Sequence, residues 1–369
     1  MPTPYALPEH ITNLPAYTPI EPFEVLSARI GRSPQDIIKL DANENPYGMS
    51  PRAQQALAEM NFPNIYPDPE SRALRSALST FTHVPTTNLL PGSGADELID
   101  LIMRVVLRPG ETIINCPPTF GMYAFDADLN AARVIDVPRR DDFSLDIEQI
   151  IEKVEEHAPK LIFLTSPNNP DGSLIRQDTL QKLLSLPALI VLDEAYIEFA
   201  DPHGLGKNIS LCTEVPDREN LIVLRTFSKL AGLAGLRVGY GAFPTWLMPI
   251  FWKAKQPYNV NVAGSVAAIA SLEDIDYLKD IVSRLVTERE RLRAGLQDIP
   301  FLRPYPSQSN FILCRVVGRD AAQLKTALAS EYGIFIRYFN KPGLKDCIRI
   351  SVGRPDQTDA VLKALATMK

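Results

Sequence analysis

Polar residues that could do chemistry follow three apolar runs of this sequence. Asn169 comes after LIFLTSPN, Asp193 ends the run LIVLD, and Lys229 comes after LIVLRTFS. Ligands of parallel α/β sheets collect outside the carboxyl ends of the strands, so we expect these side chains to share one site. A lysine amine can attack a carbonyl group, and a buried carboxylate can pair with a protonated ring nitrogen. The pattern therefore predicts a site for a ring compound that carries a carbonyl group.

A glycine-rich turn and an arginine add a place for a phosphate. The turn PGSGADE (Pro91–Glu97) opens a predicted helix, and the N–H groups at a helix start bind phosphate when glycines allow close approach. Arg237, eight residues after Lys229, could pair with a phosphate dianion. Pyridoxal 5'-phosphate carries the phosphate, the ring nitrogen and the carbonyl, so we predict it as the cofactor.

Each of these signals also has a simpler interpretation. Lys229 could be a solvated surface residue, Asp193 a helix cap and Asn169 a turn residue. GSGADE could be a plain turn and cap, because Glu97 replaces the third glycine of GxGxxG and the GK[ST] of a P-loop is missing. The order and spacing of all four favour the cofactor site, since the simpler interpretations do not predict them together.

The elements that would position these residues alternate between strand and helix. Apolar runs rich in Ile, Val and Leu are typical of strands buried on both faces of a mostly parallel sheet. The predicted strands lie in ETIINCPP, ARVIDVP, KLIFLTSPNNP, ALIVLDEAY, NLIVLRTFSK and VGYGAFP, with helices at Gly94–Leu107, Asp146–His157 and Gln177–Leu184 between them. This alternation predicts a large three-layer α/β/α domain over residues 51–265.

The remaining segments predict a smaller α+β domain. Residues 266–369 begin with a helical region broken near Glu273–Asp276, followed by strands in SNFILCRV, GIFIRYF and CIRISVG. Helices are predicted at Ala321–Glu331 and Asp356–Ala366. Residues 1–50 are rich in proline and predict an arm with one short helix near Phe23–Gly31, which also contributes part of the small domain.

Composition excludes several classes of function. The net charge of −6 gives no basic excess to neutralise the phosphates of a nucleic acid. The four cysteines and four histidines are scattered without CxxC or HExxH spacing, so we expect no disulfide framework and no metal site. No apolar window is long enough to span a membrane, and the first residues lack the features of a signal or transit peptide. We therefore expect a cytoplasmic location.

Longer motifs resemble a known family from Asn13–Tyr17 to Ile348–Gly353. They include KLDANENPYG, NIYPDPESRALR, CPPTFGMY, FLTSPNNPDGS, VLDEAYIEF, RTFSKLAGLAGLRVGYGAFP and SQSNFILC. The chain resembles the fold-type I, pyridoxal-phosphate-dependent aminotransferases of class I/II, and within them the histidinol-phosphate aminotransferases of plants and some bacteria. One departure from the common wording is NPDG in place of NPTG, which puts Asp171 beside the cofactor turn.

The resemblance implies roles for individual residues around the cofactor. Lys229 would attach the cofactor covalently and, once freed, would move a proton as the catalytic base. Asp193 would pair with the ring nitrogen, Asn169 and Tyr196 would bind the ring 3-oxygen, and Phe120 would stack on the ring. The cofactor phosphate would be bound by Ala95, Asp96, Ser228 and Arg237 and, from the neighbouring subunit of a homodimer, by Tyr66.

The resemblance also implies a substrate. Arg337 and Arg349 would bind the phosphate of histidinol phosphate and the carboxylate of glutamate, although both could instead be solvent-facing strand residues. Tyr17, Asn43 and Tyr258 match positions of the substrate pocket. The expected reaction is amino transfer between L-histidinol phosphate or imidazole-acetol phosphate and 2-oxoglutarate or L-glutamate, in histidine biosynthesis.

Three alternatives share this scaffold. An aromatic amino-acid aminotransferase could use a similar pocket, and a phosphothreonine decarboxylase breaks a different bond at a very similar site. The fold also occurs as the sensor of transcription regulators, which requires a DNA-binding domain for which the short N-terminal arm leaves no room.

Overall fold

The computed structural model describes residues 6–14 and 21–368. Its strands, in chain order, are β1 (Ile38–Leu40), β2 (Leu89–Gly92), β3 (Thr112–Asn115), β4 (Arg133–Asp136), β5 (Leu161–Thr165), β6 (Leu189–Asp193), β7 (Leu221–Thr226), β8 (Gly239–Ala242), β9 (Leu302–Pro304), β10 (Phe311–Val316), β11 (Ile334–Tyr338) and β12 (Cys347–Ser351).

The α-helices of the described residues lie before, between and after these strands. They are α1 (Glu9–Thr12), α2 (Phe23–Ile30), α3 (Pro51–Ala58), α4 (Arg72–Thr82), α5 (Gly94–Val106), α6 (Met122–Leu129), α7 (Ile147–His157), α8 (Gln177–Leu184), α9 (Met248–Ala254), α10 (Val262–Leu272), α11 (Ile275–Gln297), α12 (Ala321–Tyr332) and α13 (Pro355–Thr367).

The larger sheet is mostly parallel, as the sequence predicts. Among the described residues it has seven strands in the order β2-β8-β7-β6-β5-β3-β4. Strands β4, β3, β5, β6 and β7 pair in parallel, whereas β8 runs antiparallel to both β7 and β2. The carboxyl ends of β5, β6 and β7 therefore meet at one edge, where Asp193 ends β6 and Asn169 and Lys229 follow β5 and β7.

Both faces of this sheet are covered by helices, which confirms the three-layer α/β/α arrangement. Leu161 and Phe163 of β5 pack into a core with α5, α6 and α9. Their neighbours Ile162 and Leu164 face the opposite way, into a core with α4, α7 and α8. Because successive strand residues point to opposite faces, every position of such a strand must be apolar.

The smaller sheet joins the two ends of the chain. Among the described residues its order is β1-β11-β12-β10-β9, with β1 parallel to β11 and the other neighbours antiparallel. Leu292 of α11, Leu328 of α12 and Val361 of α13 share a core with Ile312 and Ile348 of this sheet. The division of the chain at residues 51 and 266 stays a prediction.

Most predicted helices form with small shifts at their ends. Ser50 caps α3, as its hydroxyl accepts a hydrogen bond from Ala53 N at 3.1 Å, and the predicted break near Glu273–Asp276 separates α10 from α11. The sequence did not predict the short helices α1, α6 and α9 or the short strands β1, β2 and β9.

Candidate active site

A cavity of about 820 Å³ lies where the two sheets approach each other. Residues of the large sheet form one wall, and residues of β11, β12 and the loop between them form another. The predicted site residues that line it are Asn43, Ala95, Asp96, Phe120, Asn169, Asp193, Tyr196, Ser228, Lys229, Arg237, Arg337 and Arg349. Their functional roles stay predictions, but the fold does bring them to one place.

Lys229 presents its amine inside this cavity, just beyond the end of β7. Its Nζ donates a hydrogen bond to the carbonyl oxygen of Ala42 at 3.0 Å and lies 5.9 Å from the centre of the Tyr196 ring. Burial disfavours the charged form and the cation of Arg349 adds repulsion, so the pKa of Lys229 falls to about 8. About a tenth of the amine is therefore neutral and nucleophilic at pH 7, far more than for an ordinary lysine.

Asp193, the last residue of β6, is a buried carboxylate beneath the cavity. Its Oδ2 accepts a hydrogen bond from Tyr123 Oη at 2.6 Å, and its Oδ1 accepts one from Ala195 N at 3.0 Å. Burial raises the pKa of Asp193 to about 6, while these two hydrogen bonds act in the opposite direction. Such a carboxylate can hold a proton on a ring nitrogen, because the ion pair removes the cost of burying its charge.

Tyr196 and Asn169 are connected to the small sheet. Tyr196 Oη accepts a hydrogen bond from Asn43 Nδ2 at 3.0 Å, and Asn43 N in turn donates to Ser351 Oγ of β12 at 2.9 Å. Asn169 Oδ1 accepts a hydrogen bond from Arg349 Nη1. Burial raises the pKa of Tyr196, so its hydroxyl keeps its proton and can donate a hydrogen bond.

The start of α5 forms a cradle against β8. A β-carbon added at Gly239 would lie 2.4 Å from Ala95 N, so only glycine lets this strand approach the helix start so closely. Gly94 has a φ of +79°, and a β-carbon there would lie 2.4 Å from Arg237 Nη2. Arg237 Nη2 donates to Asp96 Oδ2 at 2.7 Å. Helix start and cation together form an arrangement that suits an anion.

Arg337 and Arg349 face one another across β11 and β12. They are direct partners in the register of this antiparallel pair. Arg349 is buried and its Nη2 donates to Asp41 O at 2.9 Å. Arg337 lies 5.8 Å from the centre of the Phe339 ring and forms no ion pair among the described residues. Two adjacent guanidinium groups in one cavity favour a ligand with a doubly charged group.

Two of the predicted residues that the structure describes do not line this cavity in the single chain. Tyr66 and Tyr258 lie at the surface, where their rings stack with centres 4.7 Å apart. Tyr17 lies outside the described residues. The cavity lining of one chain therefore leaves the roles of these tyrosines untested.

Tyr123 is a residue that the sequence analysis missed. It is fully buried, and its hydroxyl bridges Thr165 Oγ1 at 2.8 Å and Asp193. Tyr123 stands three residues after Phe120 in TFGMY, and the two rings meet edge to face with centres 5.6 Å apart. That spacing is the one signal in the sequence that could have linked Tyr123 to the site.

Comparison with known proteins identifies the family. The family model described as aminotransferase class I and II matches residues 35–365. The chain therefore belongs to the class I and II aminotransferases.

Its relatives place it more narrowly, among the histidinol-phosphate aminotransferases. It is 58% identical over 357 residues to the chloroplastic histidinol-phosphate aminotransferase of Nicotiana tabacum, an alignment that covers 96% of this chain and 85% of the relative. It is 52% identical to the histidinol-phosphate aminotransferase of Roseiflexus castenholzii, with 96% of each chain covered. The crystal structure of the Sinorhizobium meliloti histidinol-phosphate aminotransferase with pyridoxal 5'-phosphate superposes with a TM-score of 0.88 at 31% identity, covering 97% of this chain and 96% of that chain.

The residues present in the cavity fit pyridoxal 5'-phosphate. The cradle at Gly239 and Ala95, closed by Arg237, suits its phosphate. The buried Asp193 suits its ring nitrogen, and the amine of Lys229 suits its aldehyde. Among the described residues, no group of three or more His, Cys, Asp or Glu side chains is placed to bind a metal ion.

Proposed function

We propose that the protein transfers an amino group between L-histidinol phosphate and 2-oxoglutarate, with pyridoxal 5'-phosphate as cofactor, in histidine biosynthesis. The observation that carries this proposal is the pairing of Arg337 with Arg349 in the cavity that also holds Lys229 and Asp193. Curated relatives named histidinol-phosphate aminotransferase at 52% and 58% identity support it.

The arginine pair explains how one pocket serves two substrates. A phosphate monoester is close to a dianion at pH 7 and presents three oxygens, so it can engage both guanidinium groups at once. A carboxylate of 2-oxoglutarate presents two oxygens and can use the same donors. The imidazole ring of histidinol phosphate would then lie in the part of the cavity lined by Asn43 and Phe120.

The residues around the cofactor divide the chemical work. Bound pyridoxal 5'-phosphate supplies an aldehyde for amines and a ring that accepts electrons. Lys229, with its pKa lowered to about 8, would take the proton from the substrate carbon that bears the nitrogen and deliver it to the aldehyde carbon of the cofactor. Asp193 holds the ring nitrogen protonated, Asn169 and Tyr196 bind the ring 3-oxygen, and Phe120 stacks on the ring. Ala95, Asp96, Ser228 and Arg237 bind the phosphate.

We also propose that the protein acts as a homodimer. Tyr66 is 79% exposed and lies outside the cavity of its own chain, which fits a tyrosine that reaches the phosphate in the neighbouring subunit. Tyr258, stacked on Tyr66, would enter the same shared site. Tyr17 would approach the substrate from the N-terminal arm.

Location in the cell stays a proposal as well. In the described part of the chain, no helix combines the length and the apolar character needed to cross a membrane. The Nicotiana tabacum relative is named as chloroplastic, whereas we propose a cytoplasmic location for this chain.

The proposed reaction is tested by comparing amino donors in the steady state. L-histidinol phosphate should give glutamate from 2-oxoglutarate with a kcat/KM well above that of phenylalanine. Arg337→Ala should raise the KM for histidinol phosphate by about ten- to a hundredfold, the value of a hydrogen-bonded charge contact. A preference for phenylalanine would identify an aromatic aminotransferase, and release of CO₂ from phosphothreonine without 2-oxoglutarate would identify a decarboxylase. An unchanged KM in Arg337→Ala would exclude the phosphate role of the arginine pair.

A further inference from the structure

The loop between β11 and β12 places a third cation in the cavity. Lys341 lines the same cavity as Arg337 and Arg349. It is not among the residues that the family motifs predict for the site. The lysine stands in the exposed tip NKPG, four residues after Arg337.

The position of the Lys341 side chain is defined by its neighbours. A β-carbon added at Gly121 would lie 3.2 Å from Lys341 Nζ, so the ammonium group lies over the backbone of the TFGMY segment on the opposite wall. The loop itself is anchored behind the tip, because Leu344 is buried against Phe143 and its N–H donates to Lys341 O at 3.1 Å. The Lys341 side chain thus reaches from the loop between β11 and β12 towards Gly121 on the opposite wall.

The positive charges of Lys341 and Arg337 are not balanced by ion pairs within the part of the chain that the structure describes. Among the described residues, neither Lys341 nor Arg337 forms an ion pair with an acidic side chain. An exposed lysine without an acidic partner is ordinary, but Lys341 lines the same cavity as Arg337 and Arg349, and charges of one sign that line a cleft attract an oppositely charged ligand. Three cations exceed what a single carboxylate, with one charge and two oxygens, can engage.

We infer that Lys341 is a specificity-determining residue that binds the phosphate monoester of the amino substrate and favours it over carboxylate ligands. This inference rests on the proposed function. Arg337 and Arg349 hold the phosphate from the strands, and Lys341 closes on its third oxygen from the loop.

The test compares three variants with three substrates at constant ionic strength, because exposed charges are screened by salt. The variants are Lys341→Ala, the conservative Lys341→Arg, and Lys345→Ala as the matched control. Lys345 is an exposed lysine of the same loop that stands outside the cavity lining formed by the described residues. The substrates are L-histidinol phosphate, L-histidinol, which lacks the phosphate, and 2-oxoglutarate.

Lys341→Ala should raise the KM for histidinol phosphate about tenfold, between the effect of an exposed ion pair and that of a charged hydrogen bond. The KM for 2-oxoglutarate should change less than about threefold, and kcat/KM with L-histidinol should not change. Lys341→Arg should restore most of the loss, and Lys345→Ala should match the wild type. An equal change for both anionic substrates, or no change, would overturn the assignment of Lys341 alone. Wild-type protein that does not turn over histidinol phosphate would instead overturn the proposed function.

Discussion

The hydroxyl of Tyr123 donates a hydrogen bond of 2.6 Å to the carboxylate of Asp193. Tyr123 is fully buried and stacks on Phe163 with ring centres 4.9 Å apart, so the donor is held in place. Burial alone raises the pKa of Asp193, and this hydrogen bond lowers it again by stabilising the charged form. Tyr123 therefore helps to keep Asp193 ionised near neutral pH.

Removing that hydroxyl should make cofactor binding more sensitive to acid. In Tyr123→Phe the pKa of Asp193 should rise above its value of about 6, so the carboxylate is neutralised at a higher pH. Affinity for pyridoxal 5'-phosphate, measured by fluorescence titration of the apoprotein from pH 5 to 8, should fall about tenfold at pH 7. Tyr240→Phe is the control, because this buried tyrosine lies among Arg225, Glu194 and Glu198. Identical pH profiles for the two variants would contradict the role given to Tyr123.

The proposed phosphate cradle, the start of α5 against β8, depends on glycine at position 239. In Gly239→Ala the new β-carbon would lie 2.4 Å from Ala95 N, so the start of α5 must move away from β8. Overpacking of this kind costs about 1–3 kcal/mol of stability, and the displaced helix start should weaken cofactor affinity by at least about tenfold. Gly235→Ala, where a β-carbon meets nothing within 4 Å, is the matched control. Thermal melting and cofactor titration would measure both effects, and equal behaviour of the two variants would refute the cradle.

Arg349 should control the protonation of Lys229 as well as substrate binding. Its positive charge contributes, after burial, to the low pKa of about 8 at Lys229. Replacing it in Arg349→Gln removes the repulsion and should raise the pKa of Lys229, whereas Arg349→Lys should retain most of the effect. The rate at which the apoprotein binds pyridoxal 5'-phosphate covalently should therefore reach its plateau at higher pH in Arg349→Gln. A plateau at the wild-type pH in both variants would show that burial alone sets this pKa.

Most helices and strands of residues 51–265 could be predicted because their signals are local. Helix α8 forms at the predicted residues Gln177–Leu184, and α7 begins directly after its cap, Asp146. Helix α6 escaped prediction because the strand-like spacing of its apolar residues, in MYAFDADL, hides a helical face. Strand β1 escaped because it has three residues and pairs with β11, almost 300 residues later.

The residues of the site could be predicted from the sequence, but the contacts between them could not. Asn43 was expected in the substrate pocket, yet its hydrogen bond to Tyr196 joins residues that no local pattern connects. Asp171, the departure from the family wording, does not line the cavity formed by the described residues. It is buried and accepts hydrogen bonds from Asn168 Nδ2 and Ser173 N, so it stabilises its own turn.

A shared site can be tested by mixing two inactive chains. Tyr66→Ala and Lys229→Ala should each be strongly impaired as homodimers. A mixed dimer should regain activity, because one of its two sites then combines an intact Lys229 with an intact Tyr66 from the other chain. Activity after co-refolding of the two variants should approach a quarter of the wild-type value, since about half of the dimers are mixed and each has one working site. Mixed dimers without recovered activity would contradict the contribution of Tyr66 across the interface.

The central claim is that Lys229 and the arginine pair serve amino transfer from histidinol phosphate. It is tested most directly in a single turnover of the cofactor-loaded protein, followed by visible absorption after addition of histidinol phosphate or phenylalanine without 2-oxoglutarate. We predict rapid and complete conversion of the loaded form at micromolar histidinol phosphate, slow conversion by phenylalanine, and none in Lys229→Ala. Faster conversion by phenylalanine, or conversion by histidinol phosphate in Lys229→Ala at the wild-type rate, would contradict the account.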